Sequence, residues 1–113
     1  MPRAIKSVIQ EALANSRRME RRYAQALRRL GKGSLVKKRI GGHAYYYLAV
    51  REGARVRFRY LGKLSAQELR TRQAQHRKRG QYRRLLREVK QQIRFLERSL
   101  RDESARHRRP SRS

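Results

Sequence analysis

No cysteine and no tryptophan occur in the 113 residues of this chain, proline appears twice, and only 8 side chains are acidic against 33 Lys and Arg. Each shortage excludes something. Without cysteine there are no disulfides and no thiolate metal centre, and the redox compartment leaves no mark. No apolar run approaches the ~18 residues that a membrane span needs, and the opening stretch MPRAIKSVIQEALANSRRMERR lacks the apolar block of a signal peptide. That stretch is amphipathic and Arg-rich, as transit peptides are. Its apolar pattern continues past residue 22, so it reads as part of the fold of a cytoplasmic protein. The shortage of acid leaves a net charge of +25. Residues 1–30 carry 8 basic and 2 acidic side chains, residues 31–64 carry 9 and 1, and residues 65–113 carry 16 and 5. No segment is neutral, so this is not a neutral domain with a basic tail. Such a charge attracts polyanions, nucleic acid first and an anionic membrane surface second.

What is present is organised by period. Residues 4–30 read as a helix, because Ile5, Ile9, Ala12, Ser16, Met19, Tyr23, Ala26 and Leu30 follow alternating steps of three and four. The Gly31-Lys32-Gly33 stretch then supplies a glycine stop. Residues 34–61 change to strand-like runs, SLVKKRI, YYYLAVR and RVRFRYL, rich in β-branched and aromatic residues. Three-residue loops at 41–43 and 52–54 are expected to join them into an antiparallel meander. With those loops Val50 faces Val56, Leu48 faces Phe58 and Val36 faces Leu48. The even positions Val36, Ile40, Tyr46, Leu48, Val50, Val56, Phe58 and Tyr60 then form one apolar face, broken only by Lys38. Ser65 followed by Glu68 forms a capping box that opens a second helix. Its first turns are nearly all polar. From Tyr82 a seam appears, Tyr82, Leu86, Val89, Ile93, Leu96 and Leu100, which packs on the first helix or on a second copy as a homodimer. The expected fold is α+β: an N-terminal helix, a three-stranded antiparallel β-meander and a long, partly coiled-coil-like C-terminal helix. It forms one domain over residues 1–103, followed by a disordered basic tail over 104–113.

On this register the odd positions look outward. Lys37, Arg39, Tyr45, Tyr47, Arg51, Arg55, Arg57 and Arg59 share one face, with Tyr47 opposite Arg59 and Arg51 opposite Arg55. Like charges facing one another destabilise a sheet. A face that collects them points to a polyanion that cancels the repulsion, and these eight residues are the candidate nucleic-acid contacts.

Catalysis and metal binding find less support. The eight acids offer no pair built to hold Mg²⁺, and Glu68/Arg72 and Glu97/Arg101 have the spacing of helix-surface ion pairs. His43, His76 and His107 share no ligand spacing. A tyrosine of the Tyr45–Tyr47 triplet attacking a phosphate would lack a general acid or base. No phosphate loop with a Walker lysine occurs. The expectation is a protein that is not an enzyme and has no metal and no cofactor.

The segment KGSLVKKRIGGHAYYYLAVREGARVRFRYLGKLS, through its Gly33-Ser34, Tyr45-Tyr46-Tyr47-Leu48, Arg51-Glu52-Gly53 and Tyr60-Leu61-Gly62-Lys63 positions, resembles a family of small bacterial, archaeal and mobile-element-associated proteins of unknown function. Similar hairpins stand near the start of some transposase-like and Fic-like proteins. The resemblance covers residues 32–65 closely and the helices only by type. It implies little about activity.

The functional expectation is non-catalytic nucleic-acid binding without a membrane role, by a cytoplasmic protein that is nucleoid-associated if DNA is its partner. DNA is favoured over RNA on the mobile-element resemblance. The sheet would enter a major groove, or its tyrosines would stack on the bases of a single strand. The alternative is a structural or assembly protein that dimerises through its helices and binds an acidic partner or RNA.

Overall fold

The computed structural model describes the backbone of residues 2–108 and the side chains of residues 4–106. Its elements are α1 (Pro2–Leu30), β1 (Ser34–Ile40), β2 (His43–Glu52), β3 (Arg55–Gly62) and α2 (Ala66–Arg108). The strands form one antiparallel sheet in the order β1-β2-β3, so the α+β class and the element order are those expected. Two compact units result. One joins the described residues up to Ala26 with those from Tyr82 onward; the other is Leu27–Gln81.

The first unit is a pairing of helical segments. Pro2 starts α1, where its missing N–H costs nothing. Leu13 and Ser16 of α1 are buried, as are Val89 and Ile93 of α2. The Tyr23 and Tyr82 rings lie 6.1 Å apart between centroids, and Arg17 Nη2 donates to Glu97 Oε2 at 3.2 Å. Partner positions therefore run forward in α2 as they run backward in α1, and the segments are antiparallel. The seam of α2 meets α1 of the same chain. Ile5, first in the expected α1 stripe, remains exposed. The four-three stepping of α2 runs one step beyond Leu100 to Glu103, which is buried and accepts from Arg106 Nη1 at 3.4 Å. The helix continues through Arg108, so residues 104–108, assigned to a tail by composition, are helical. The rest of that expected tail, 109–113, lies outside the described residues.

The second unit contains the sheet, and its register differs from the expected one. Ile40 pairs with His43, and Glu52 pairs with Arg55. Both hairpins therefore close with two residues, not three. Gly41 and Gly42 both have positive φ, +58° and +81°, as a type I′ turn requires; the second turn has Gly53 at +62° followed by Ala54, the order of a type II′ turn. These primed turns match the right-handed twist of the strands, which outweighs the apolar parity. One residue fewer in each loop turns β1 and β3 over relative to β2. Val36 faces Tyr47 instead of Leu48, Val50 faces Arg57 instead of Val56, and Ala49 faces Phe58. A further irregularity leaves Leu61 as an extra residue between the pairs Tyr47–Tyr60 and Tyr46–Gly62, a bulge near the end of β3.

The continuous even-numbered apolar face therefore does not exist. Tyr46, Leu48 and Val50 share one face with Leu35, Lys37, Arg39, Arg55, Arg57 and Arg59. The start of α2 lies over the β1–β2 side of this face: Leu35 and Tyr46 line a cleft with Leu69 and Arg72, and Tyr46 is 7 % exposed. The capping box that opens α2 is formed in both directions. Ser65 Oγ accepts from Glu68 N at 3.1 Å, and Glu68 Oε1 accepts from Ser65 N at 3.3 Å. Further along α2 the buried Arg79 donates from Nη2 to the carbonyl of Gly33, tying the helix to the segment that enters β1.

Candidate nucleic-acid interface

The opposite face of the sheet is open. It carries Val36, Lys38 and Ile40 from β1, His43, Tyr45, Tyr47, Ala49 and Arg51 from β2, and Val56, Phe58 and Tyr60 from β3. Its apolar members are among the most exposed in the protein: Phe58 at 63 %, Tyr60 at 58 % and Ile40 at 54 %. Ala49 opposite Phe58 is too small to cover its ring. Tyr60 packs against Tyr47 at 5.2 Å and Tyr45 at 6.5 Å between centroids, tilted by 55° and 33°. Lys63 places Nζ 5.8 Å from the centre of the Tyr45 ring, within cation–π reach. Each ring holds its neighbour and still presents area to solvent. Lys38, Arg51 and Lys63 stand among the rings, and no acidic residue of the strands points to this side.

The eight expected contact residues are thus divided. Tyr45, Tyr47 and Arg51 lie on the open aromatic face. Lys37, Arg39, Arg55, Arg57 and Arg59 lie on the face that α2 partly covers. Tyr47 is opposite Tyr60, not Arg59, and Arg51 is opposite Val56, not Arg55. The like-charge pairing that seemed to call for a polyanion is not formed. The one acid of the strands, Glu52, pairs with Arg57 at 3.6 Å. This contact is solvent-exposed and adds little to stability. The open face recruits residues that the expected register had hidden, Phe58, Tyr60, Val56 and Lys38. The signal for Lys38 was the Gly41-Gly42 pair, a two-residue turn in its own right, and for Val56, Phe58 and Tyr60 it was Gly53-Ala54, with glycine at the first position of a type II′ turn.

Among the described residues no cluster of three or more His, Cys, Asp or Glu is placed to hold a metal ion. No helix among them is long and apolar enough to cross a membrane.

Fold and surface together define a strongly basic helix–meander–helix protein with an exposed aromatic sheet. The chain belongs to the family of a domain of unknown function, DUF6788, whose model matches residues 5–71. The match takes in most of α1, the whole sheet and the capped start of α2. No curated protein and no solved structure matches the chain.

Proposed function

We propose that this protein is a non-catalytic nucleic-acid-binding protein that receives unpaired bases on the open face of its sheet. The observation that supports this is the exposure of Phe58 and Tyr60 beside Tyr45 and Tyr47, with Lys38, Arg51 and Lys63 near them and no acid of the strands on that side. A face left open only to water has no need to gather four aromatic rings, two of them exposed and two half-buried, and an apolar protein partner would not call for the surrounding cations. Bases stack on aromatic rings whatever their identity, while basic side chains follow the phosphates. The bases of an intact duplex are already stacked on one another, so single strands, loops and melted ends fit this face better. DNA is preferred over RNA on the resemblance of the hairpin to those of mobile-element proteins.

Fluorescence anisotropy of a labelled single-stranded 20-mer, the matching duplex and polyglutamate across a salt series tests the reading. Neutralising ~4–6 phosphates gives a log–log salt slope of roughly −3 to −4 for the single strand. Tighter binding of the single strand than of the duplex supports the reading. Equal affinity for polyglutamate and nucleic acid would instead favour the assembly role, and the absence of low-salt binding to the 20-mer would refute the proposal.

A further inference from the structure

The other side of the sheet holds a separate recess. Where α2 starts, it faces the β1–β2 side of the sheet with Leu69, Arg72, Gln73, His76 and Arg77, at the i, i+3, i+4, i+7, i+8 spacing of a single helix face. A helix lying on a sheet normally fills that face with apolar side chains. Here only Leu69 is apolar. The sheet answers with Leu35 and the buried Tyr46, which form an apolar floor, and with Lys37 at the edge. The two layers leave between them a cleft of about 510 Å³, within the range that takes small ligands. Three basic side chains, Lys37, Arg72 and Arg77, line it with His76, and no carboxylate does. The nearby Glu68 is occupied by the N-terminal cap.

Polar residues at positions where the fold asks for apolar ones mark functional sites more often than packing errors. We infer that this cleft binds a phosphate-bearing nucleotide. Arg72, Arg77 and Lys37 hold the phosphate, for which the planar guanidinium fork is suited. Leu35, Leu69 and Tyr46 receive the flat base, and Gln73 offers it a donor and an acceptor. The same chemistry arrives from two sources, a free mononucleotide or the phosphorylated end of a strand. The inference stands apart from the open-face reading, because the cleft lies on the opposite side of the sheet and shares no residue with it.

The test uses the full chain and 5′-AMP, adenosine and inorganic phosphate as probes, followed by isotope-edited NMR and calorimetry. 5′-AMP should shift the signals of Tyr46, Gln73 and His76 and bind at least tenfold more tightly than adenosine. The double variant Arg72→Gln/Arg77→Gln should lose at least tenfold in 5′-AMP affinity while a variant of the open face, Tyr47→Ser/Tyr60→Ser, keeps it. Shifts confined to the open-face tyrosines, or equal affinity for 5′-AMP and adenosine, overturn the inference. The wild-type shift map separates these outcomes even if the double variant does not fold. An oligonucleotide with a 5′-phosphate distinguishes the sources. Tighter binding than its 5′-hydroxyl twin, abolished in the cleft variant, identifies a strand end. Equal binding of the twins together with 5′-AMP binding identifies a free nucleotide. Loss of oligonucleotide binding in Tyr47→Ser/Tyr60→Ser with 5′-AMP binding intact shows that the two sites are independent.

Discussion

Phe58→Ala separates the two possible faces of the sheet in a single substitution. If Phe58 sat in a core, its truncation would cost ~3–5 kcal/mol. It is 63 % exposed, opposite Ala49, and a fully buried Phe is worth up to ~3 kcal/mol, so its remaining contact amounts to about 1 kcal/mol. Tyr46→Ala is the matched control on the other face, where 7 % exposure predicts a loss of ~3 kcal/mol or more. With a urea dependence of ~1 kcal/mol per molar for a small unit, the midpoints should fall by about 1 M and about 3 M. The chain has no tryptophan, so circular dichroism is the suitable signal. Ligand binding should invert the order. Phe58→Ala, still folded, should lose single-strand affinity by about five- to 150-fold, the worth of ~1–3 kcal/mol per stacked base. Equal destabilisation by the two substitutions would refute the assignment of faces. An unfolding midpoint near wild type together with unchanged affinity would leave the faces standing and remove Phe58 from the interface.

Three further outcomes follow from the geometry. Replacing Gly41-Gly42 by Ala-Ala should cost ~1 kcal/mol or more per residue because both φ values are positive, whereas Asn-Gly should be nearly neutral; thermal melting distinguishes them. Ser65→Ala should lower stability by ~1 kcal/mol through loss of the reciprocal cap, and Ser65→Asp should restore most of it, as read from urea midpoints. In the helical unit Ile93→Ala should cost ~2–3 kcal/mol and Phe95→Ala, two residues on but 58 % exposed, only about 1 kcal/mol, again by denaturation.

The helices were legible in the sequence because a seam of three- and four-residue steps is long and redundant. The Tyr82–Leu100 stripe survives any single exception, and Ser65 with Glu68 forms the cap that its spacing announces. The strands were legible as runs, but not their facing. Gly41-Gly42-His43 is compatible with a two- or a three-residue loop, and apolar residues occupy the even positions of all three strands. The longer loops gather them on one side, which makes a tidy apolar face. Backbone conformation decided otherwise, since two consecutive positive-φ glycines fit a type I′ turn and the strand twist at once. The premise that three apolar stripes must share a core also failed for a physical reason. The stripe of α2 that meets the sheet is itself mostly polar and has little apolar area to offer in return. The open face and the cleft both follow from that mismatch, and neither was visible while all three apolar stripes were placed on one covered face.

With β2 in the centre, β1 and β3 are both edge strands, and each leaves a row of backbone groups without a neighbour. An uncovered aromatic surface bordered by two open edges would ordinarily invite strand addition between copies. Lys37, Lys38 and Arg39 on one edge and Arg55, Arg57 and Arg59 on the other place like charge where such addition would occur, and that charge opposes it. That guard depends on the counterion atmosphere. On the proposed reading, a long polyanion that neutralised the edges would also remove the barrier between neighbouring sheets, so occupancy and self-association would become one event. Light scattering during titration with a long single strand should stay flat while protein charge is in excess, rise sharply at charge equivalence and clear again as salt is added. Short oligonucleotides, which cannot bridge two copies, should bind without turbidity.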